Sequence, residues 1–210
     1  MGGGNGFVAK ALQDSGLDVV LIEPGFAGSA NAKRRGVNHV VCSTLQDAGF
    51  HANVLPAIGL FDVLEHIEHD QVFLGDIWKY LIPGGRVYLS VPAWPQLWSY
   101  EDVDAGHRRR YTIQEICESI RSCGFEIEYA TYFFGFLVLP IFLFRRLPFS
   151  LGITGKKSFA ERAPRDHHIK SPLIGSIMGQ LANRELKRIR ARVRMRFGAS
   201  CLVVAKKPGS

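Results

Sequence analysis

From Ala57 to Leu60 the chain is short and apolar, it turns polar at Asp62, and a helical rhythm follows through Val72, Leu74, Ile77, Trp78 and Leu81. Pro83-Gly84-Gly85 ends that rhythm, and Val87 to Val91 is again an apolar run. Neither run reads as a half-exposed strand, so together they predict two buried parallel strands joined by a crossover helix. The same reading elsewhere predicts a helix over Val8, Ala9 and Leu12 that stops near Gly16, and a strand from Asp18 to Ile22. A short helix from Ala32 to Gly36 and a third strand from Val40 to Cys42 come next. Farther on, Thr112 with Glu115 spells a capping box ahead of Ile113, Ile116 and Ile120, a helix that ends by Gly124. Strands from Phe125 to Tyr132 and from Cys201 to Ala205 complete an α/β pattern.

Composition narrows the class. The 210 residues make one domain, or one domain with an insertion, and 47% hydrophobic residues suffice for a core. A net charge of +7 points to an anionic surface or substrate. Cys42, Cys117, Cys123 and Cys201 are scattered without a C-x-x-C pair, the pattern of reduced thiols; no spacing supports zinc, and no metal is expected. Met1 is followed by glycines rather than by the basic and apolar segments of a signal peptide, so a cytoplasmic location is expected. The longest apolar run, Tyr132 to Phe144, is broken by Gly135 and Pro140 and is well short of the roughly 20 residues of a spanning helix.

Three stretches carry candidate chemistry. Gly2-Gly3-Gly4-Asn5-Gly6 precedes a helix, where glycines permit close approach of a ligand. It is not a G-x-G-x-x-G fingerprint: a start at Gly2 puts Phe7 at the last glycine, and a start at Gly3 puts Asn5 at the second. Glu23 ends a strand, where a carboxylate can accept two ribose hydroxyls. The segment from Ala93 to Tyr111 mixes aromatics, acids, His107 and the arginines 108, 109 and 110 without periodicity, as a ligand-facing loop at the carboxyl ends of strands does.

FDVLEHI after a strand, then a helix, L-x-PGG and a strand ending in S-V-P resembles the second half of a class I S-adenosylmethionine-dependent methyltransferase, of the type 11/23-like branch. Gly2, Gly4 and Gly6 match the glycines of that family's acidic-x-G-x-G-x-G loop, and the likeness extends to about Tyr132. The acidic residue and the first strand would lie before Met1, so the chain is expected to be truncated there. That strand is central in the fold, and its neighbours would face each other across a gap with unpaired backbone groups. The resemblance thus implies a Rossmann-like sheet with helices on both faces, the first strand missing and a helical insertion before the last strand. It implies S-adenosyl-L-methionine as cofactor, held by Gly2, Gly4, Gly6, Glu23, Thr44, Leu45, Phe61 and Asp62. The family's commoner Gly-Asp-Ala after the third strand is Ser43-Thr44-Leu45 here, which puts adenine on Leu45 with a weaker polar contact from Thr44 or Asp47.

The stretch VPA…LWS…D…GH-x-RRY is similar to a bacterial branch associated with glycan or lipid-linked pathways. It implies an active-site lid over residues 93–111, with Trp94, Trp98 and Tyr111 as walls, His107 and Asp104 as acid/base candidates, and Arg108, Arg109 or Arg110 as an anion clamp. The competing reading has Arg–Asp pairs tying the loop down. His66, at the V-L-E-H segment, is a further candidate base, or else a half-buried histidine at a helix start. The implied domain plan is a cofactor-binding core over 1–132, an insertion over 133–198 and a final core strand over 199–207. The insertion joins FFGFLVLPIFLFRRLPF to a basic helix from Arg184 to Arg196. It reads either as a peripheral contact with an anionic membrane face, or as a pocket cover with a solvated basic face. Nucleic acid is not expected, because the basic residues are not interleaved with stacking aromatics. The expected activity is methyl transfer to a small-molecule, glycan- or lipid-linked acceptor. The alternatives are a non-catalytic cofactor-binding protein and a membrane-surface interaction protein.

Overall fold

The computed structural model describes residues 2–152 and 172–209, so part of the insertion lies outside the described residues. Gly6, with φ 79°, opens α1 (Phe7–Asp14) in a left-handed conformation that glycine takes without steric cost. β1 (Val20–Ile22), α2 (Phe26–Arg34) and β2 (His39–Val41) follow, and β1 pairs with β2 in parallel, Leu21 opposite Val40. α2 starts well before the predicted Ala32–Gly36 segment. It buries only Ser29 and Ala32, so it lacks the apolar stripe by which a helix is read from sequence.

The predicted crossover unit is present as β3 (Leu55–Phe61), α3 (Asp70–Tyr80) and β4 (Leu81–Pro92), with Ile58 opposite Val87 and Leu60 opposite Leu89. The helix ends at Tyr80, ahead of the expected stop, and Pro83-Gly84-Gly85 instead forms an irregularity inside β4: Gly84 has φ 79°, and the pairing jumps from Leu55–Leu81 to Ala57–Arg86. The lid segment contains α4 (Tyr100–Asp104). α5 (Ile113–Ser122) begins with the predicted box, in which Thr112 donates its N–H to Glu115 Oε2 (2.7 Å) and Thr112 Oγ1 accepts the Glu115 N–H (3.3 Å). β5 (Glu126–Phe133), α6 (Gly135–Ile141), a π-helical turn (Phe142–Arg146), α7 (Leu147–Ser150), α8 (Pro172–Arg190) and β6 (Ser200–Lys206) complete the chain.

The larger sheet has the order β3-β4-β6-β5, with β6 antiparallel to both neighbours. β1 and β2 form a separate two-stranded sheet, and no ladder joins β1 to β3 among the described residues. The glycine loop spans the two pieces. Gly3 donates its N–H to Ile22 O (3.4 Å), and a Cβ on Gly2 would press on Val63, just past β3. Leu60, Leu74, Ile77, Leu89, Ile116 and Val203 are fully buried between sheet and helices, each worth about 1.5–3 kcal/mol of transfer free energy.

The insertion is tied to the core by side chains. Both carboxylate oxygens of Glu185 on α8 accept N–H groups at the start of α6, from Phe134 (2.6 Å) and Gly135 (2.8 Å), where a helix N-terminus favours an anion. The predicted basic helix is shorter than its charge run. α8 ends at Arg190, Arg192 turns left-handed (φ 54°), and the following residues pair with β5 through Met195 N–H to Thr131 Oγ1 (2.7 Å) and Tyr132 N–H to Met195 O (3.2 Å). No helix of the described residues is long and apolar enough to cross a membrane.

Candidate active site

The glycine loop and Glu23 build a cradle at the carboxyl end of β1. Glu23 accepts the Gly4 N–H at Oε2 (2.9 Å) and the Gly25 N–H at Oε1 (2.8 Å). Two oxygens carry about four lone-pair sites, so the half-buried carboxylate keeps capacity for two further donors. Gly4 is left-handed (φ 46°) and an added Cβ would meet nothing within 4 Å, so its outer face is open. A Cβ on Gly6 would instead strike Ala32 of α2, and one on Gly28 would crowd the Gly4 carbonyl. Bare backbone, an open face and a carboxylate with spare acceptors fit a nucleoside cofactor with two adjacent hydroxyls.

Asp62 follows β3 in a left-handed conformation (φ 54°), its N–H bonded to Ser90 O (3.0 Å) and its Oδ1 accepting the Ser90 hydroxyl (3.0 Å). One turn on, Glu65 is 0% exposed and neither carboxylate oxygen has a hydrogen-bond partner among the described residues. Burial pushes its carboxyl up to about 7; its own backbone N–H and the charges of His107 and Arg110 oppose the rise, while Asp62 adds to it. His107 Nε2 lies 3.9 Å from Glu65 Oε1, and the His66 ring meets the His107 ring edge-on at 4.9 Å. Glu65, His66 and His107 therefore form one cluster where the lid meets the turn after β3, with the Arg108 N–H on Glu65 O (2.8 Å).

The lid holds that cluster through Asp102, 1% exposed. Asp102 accepts from Arg110 Nε (2.7 Å), His107 Nδ1 (2.9 Å) and the Ser99 N–H (2.9 Å). Burial alone would raise its carboxyl, but the hydrogen bonds from His107 and Arg110 and the Arg110 charge outweigh it and hold the group at about 2. The other arginines are engaged as well: Arg109 bonds Asp70 Oδ2 (3.3 Å) and Glu68 O (2.7 Å), and Arg108 pairs with Glu68 (3.3 Å). Tyr111 is buried, donates to Asp70 Oδ2 (3.0 Å), and is raised well above the usual phenol range by burial and the Asp70 charge. These contacts tie the loop down; Arg110 is spent inside the protein, while the Arg109 pair is partly exposed and the Arg108 pair lies at the surface.

An apolar cavity of about 540 Å³ lies between the lid and the insertion, lined by Trp94, Leu97, Val138, Leu139, Phe142 and Phe197, with Gln96 and Gly135 completing it. Trp94 stacks on Tyr132 at 4.9 Å and donates from Nε1 to Gly198 O (2.9 Å). The remaining candidates are scattered. Trp98 is half-buried outside the cavity lining, and Asp104 is exposed with no ion pair among the described residues. Thr44 donates to Asp47 (2.6 Å) in an exposed turn, Leu45 points into the main core, and Phe61 lines a separate cavity of about 320 Å³ with Tyr88 and Ile189. Sequence reading missed Asp102 and the burial of Glu65. The first had a signal, since Ser99-x-x-Asp102 is itself a capping box.

A family model described as "Methyltransferase domain" matches residues 1–130. No protein of curated function matches the chain. Among solved structures, a chain from the complex of the Haloferax volcanii Trm112 methyltransferase activator and the putative methyltransferase is 15% identical, with TM-score 0.61 over 100% of this chain and 80% of that one. A SAM-dependent methyltransferase from Archaeoglobus fulgidus is 15% identical, TM-score 0.59, covering 98% and 83%. Haemonchus contortus phosphoethanolamine N-methyltransferase 2, in complex with S-adenosyl-L-methionine, is 18% identical, TM-score 0.58, covering 99% and 47%. At such identities the likeness establishes the fold, a Rossmann-like methyltransferase sheet flanked by helices.

Proposed function

We propose, for a chain that belongs to the methyltransferase-domain family, methyl transfer from S-adenosyl-L-methionine to an acceptor with an apolar, lipid-like body. The observation that carries the acceptor class is the 540 Å³ cavity, whose lining offers Gln96 as its one polar aliphatic side chain. Free glycans, which need many hydrogen-bonding partners, are poorly served by it. Exposed Leu139 (64%), Phe144 (77%) and Leu151 (61%) near Arg145 and Arg146 support a peripheral station at an anionic membrane face, where such acceptors reside.

The bound cofactor supplies an electrophilic methyl group for in-line displacement, and the protein's part is alignment and exclusion of water. Gly2, Gly4 and Gly6 bring bare backbone to the cofactor, and Glu23 takes its ribose hydroxyls. Asp62, fixed by Ser90, stands at the methionine end, and Thr44 and Asp47 offer a polar contact for adenine. Trp94 forms the cavity wall nearest the lid. Where the acceptor must lose a proton, it does so at Glu65, His66 and His107; the Asp102 carboxylate holds the His107 Nδ1 proton and leaves Nε2 as the basic atom. Asp104 lies outside that cluster and is given no proton-transfer role.

Calorimetry with S-adenosyl-L-methionine is the first test: saturable binding is expected, and its absence would sink the reading. Transfer of labelled methyl groups should then favour amphipathic over water-soluble acceptors. Leu139→Arg, at an exposed cavity position, should cut turnover while leaving cofactor affinity intact.

A further inference from the structure

Glu65 presents a physical problem that the fold itself does not solve. Both of its oxygens are buried and neither has a hydrogen-bond partner among the described residues. A carboxylate in that state costs several kcal/mol unless a proton or a cation joins it. Asp62 and Arg110 act on it through charge, and two histidines, His66 and His107, each bring a ring nitrogen within 4.8 Å of a carboxylate oxygen, the orientation of each fixed from behind. His107 Nδ1 faces Asp102 Oδ1 at 2.9 Å, and a carboxylate already bonded by Arg110 can only accept, so Nδ1 carries the proton. His66 Nδ1 faces the Gly106 carbonyl at 3.3 Å, which also only accepts. Both rings are thereby left with a free lone pair on Nε2. A histidine whose far nitrogen donates to a carboxylate or a carbonyl is the usual arrangement behind a metal ligand.

We propose that Glu65, His66 and His107 bind one divalent cation of the zinc class. One ligand atom from each residue lies within 4.8 Å of the others, and a tetrahedral zinc needs edges of roughly 3.4 Å. His66 is exposed and joined to the lid by a single long hydrogen bond, so a small rotation of its ring closes the difference. Two imidazoles and one carboxylate favour a borderline transition cation over magnesium or calcium, which prefer all-oxygen sets. Three protein ligands leave a position open. With His107 Nε2 committed to the cation, it is the cation rather than that nitrogen that can take an oxygen of the acceptor at the open position and make it a better nucleophile. On the reading of the protein as a methyltransferase, this points to oxygen rather than nitrogen as the methylated atom. The cation site itself stands independently of that reading.

The test is calorimetric titration of Zn²⁺ into the full chain, first stripped with chelator, with Co²⁺ absorption spectra as a second readout of nitrogen ligation. One saturable equivalent is expected. Glu65→Gln, which keeps shape, and His66→Asn, at an exposed position, should each weaken binding by more than about 10-fold, and Asp102→Asn by about 10–100-fold. His51→Asn, an exposed histidine elsewhere, should leave it unchanged. No saturable binding, or an affinity that stays within about threefold of wild type in both Glu65→Gln and His66→Asn, would overturn the proposal. Circular dichroism on each variant separates loss of a ligand from loss of fold. S-adenosyl-L-methionine is titrated separately, so that failure of cofactor binding and failure of the cation site are read as different results.

Discussion

Replacing Asp102 by Ala is expected to cost about 3–5 kcal/mol, because it strands a buried cation. The Arg110 side chain is 6% exposed, and apart from Asp102 its guanidinium bonds, among the described residues, only Ala93 O (3.1 Å). Three donors lose their acceptor at once: Arg110 Nε, His107 Nδ1 and the Ser99 N–H. Asp102→Asn keeps the shape and part of the accepting capacity, so its cost should fall to about 1–3 kcal/mol. For a chain of this size 1 kcal/mol corresponds to roughly 2–4 °C, so Asp102→Ala should melt about 6–20 °C early. Urea unfolding followed by circular dichroism gives the free energies. The decisive comparison adds Arg110→Met to Asp102→Ala: removing the stranded charge should restore part of the stability, so the double variant is less damaged than the sum of the singles. A loss under about 1 kcal/mol for Asp102→Ala, or simple additivity in the double variant, would refute the buried ion pair as the lid's anchor.

Other expectations are as direct. Glu23→Gln offers one carbonyl oxygen to two backbone N–H groups, Gly4 and Gly25, so S-adenosyl-L-methionine should bind about 10–100-fold more weakly by calorimetry; unchanged affinity would remove Glu23 from the cofactor site. Lys207 is 4% exposed, its Nζ donates to Asn53 Oδ1 (2.7 Å), Trp78 O (2.9 Å) and Leu81 O (2.9 Å), and it sits 3.7 Å over the Trp78 ring. Lys207→Met orphans carbonyls at the end of α3 and should cost about 2 kcal/mol in urea unfolding; a neutral result would show that water replaces the ammonium. Arg86, through two hydrogen bonds, holds the Glu128 carboxyl below its ordinary 4.5. Its contribution is present above that ordinary value and is lost as pH falls through the lower folded one, so urea midpoints of the wild type should drop more steeply below pH 4.5 than those of Glu128→Gln.

The legible parts of this chain were those where one residue type can do one local job. Thr112 and Glu115 cap α5 because a hydroxyl and a carboxylate three residues apart satisfy each other's backbone N–H. The glycines at 2, 4 and 6 all adopt positive φ, so their spelling carried the loop's conformation. The crossover from β3 to β4 was legible because buried parallel strands need continuous apolar runs. What the sequence hid were choices of partner. Arg108, Arg109 and Arg110 could equally have faced a ligand. Only packing shows that Glu68, Asp70 and Asp102 take them, since those acids lie at other places in the chain. Glu65 read as an ordinary acid at a helix start, and nothing local indicates that both oxygens are sealed from water. The basic run from Arg184 to Arg196 gave no sign of ending its helix at Arg190, because charge periodicity does not register the left-handed turn at Arg192.

The insertion is a wall of the apolar cavity rather than an appendage, and on the proposed reading that cavity is the acceptor site. Trp94 adopts φ 62°, a conformation that costs a non-glycine residue about 1–3 kcal/mol, and it persists only because surrounding contacts hold it. Those contacts come from both sides: its N–H bonds Tyr111 O (2.9 Å) in the lid, while its indole bonds Gly198 O (2.9 Å) at the end of the insertion. Gly198 is irreplaceable there, because a Cβ would overlap the Phe133 backbone. Ala93, next to Trp94, donates its N–H to Ala199 O (2.8 Å) and accepts from Arg110, which is held by Asp102, which in turn orients His107. The cavity wall and the cluster of Glu65, His66 and His107 are thus two ends of one hydrogen-bonded segment. On the proposed reading, an acceptor seated against Trp94 is positioned by the same contacts that fix the His107 ring. Arg110 belongs to that segment, so the charge that sequence alone offers as a clamp instead bridges Asp102 and Ala93 O.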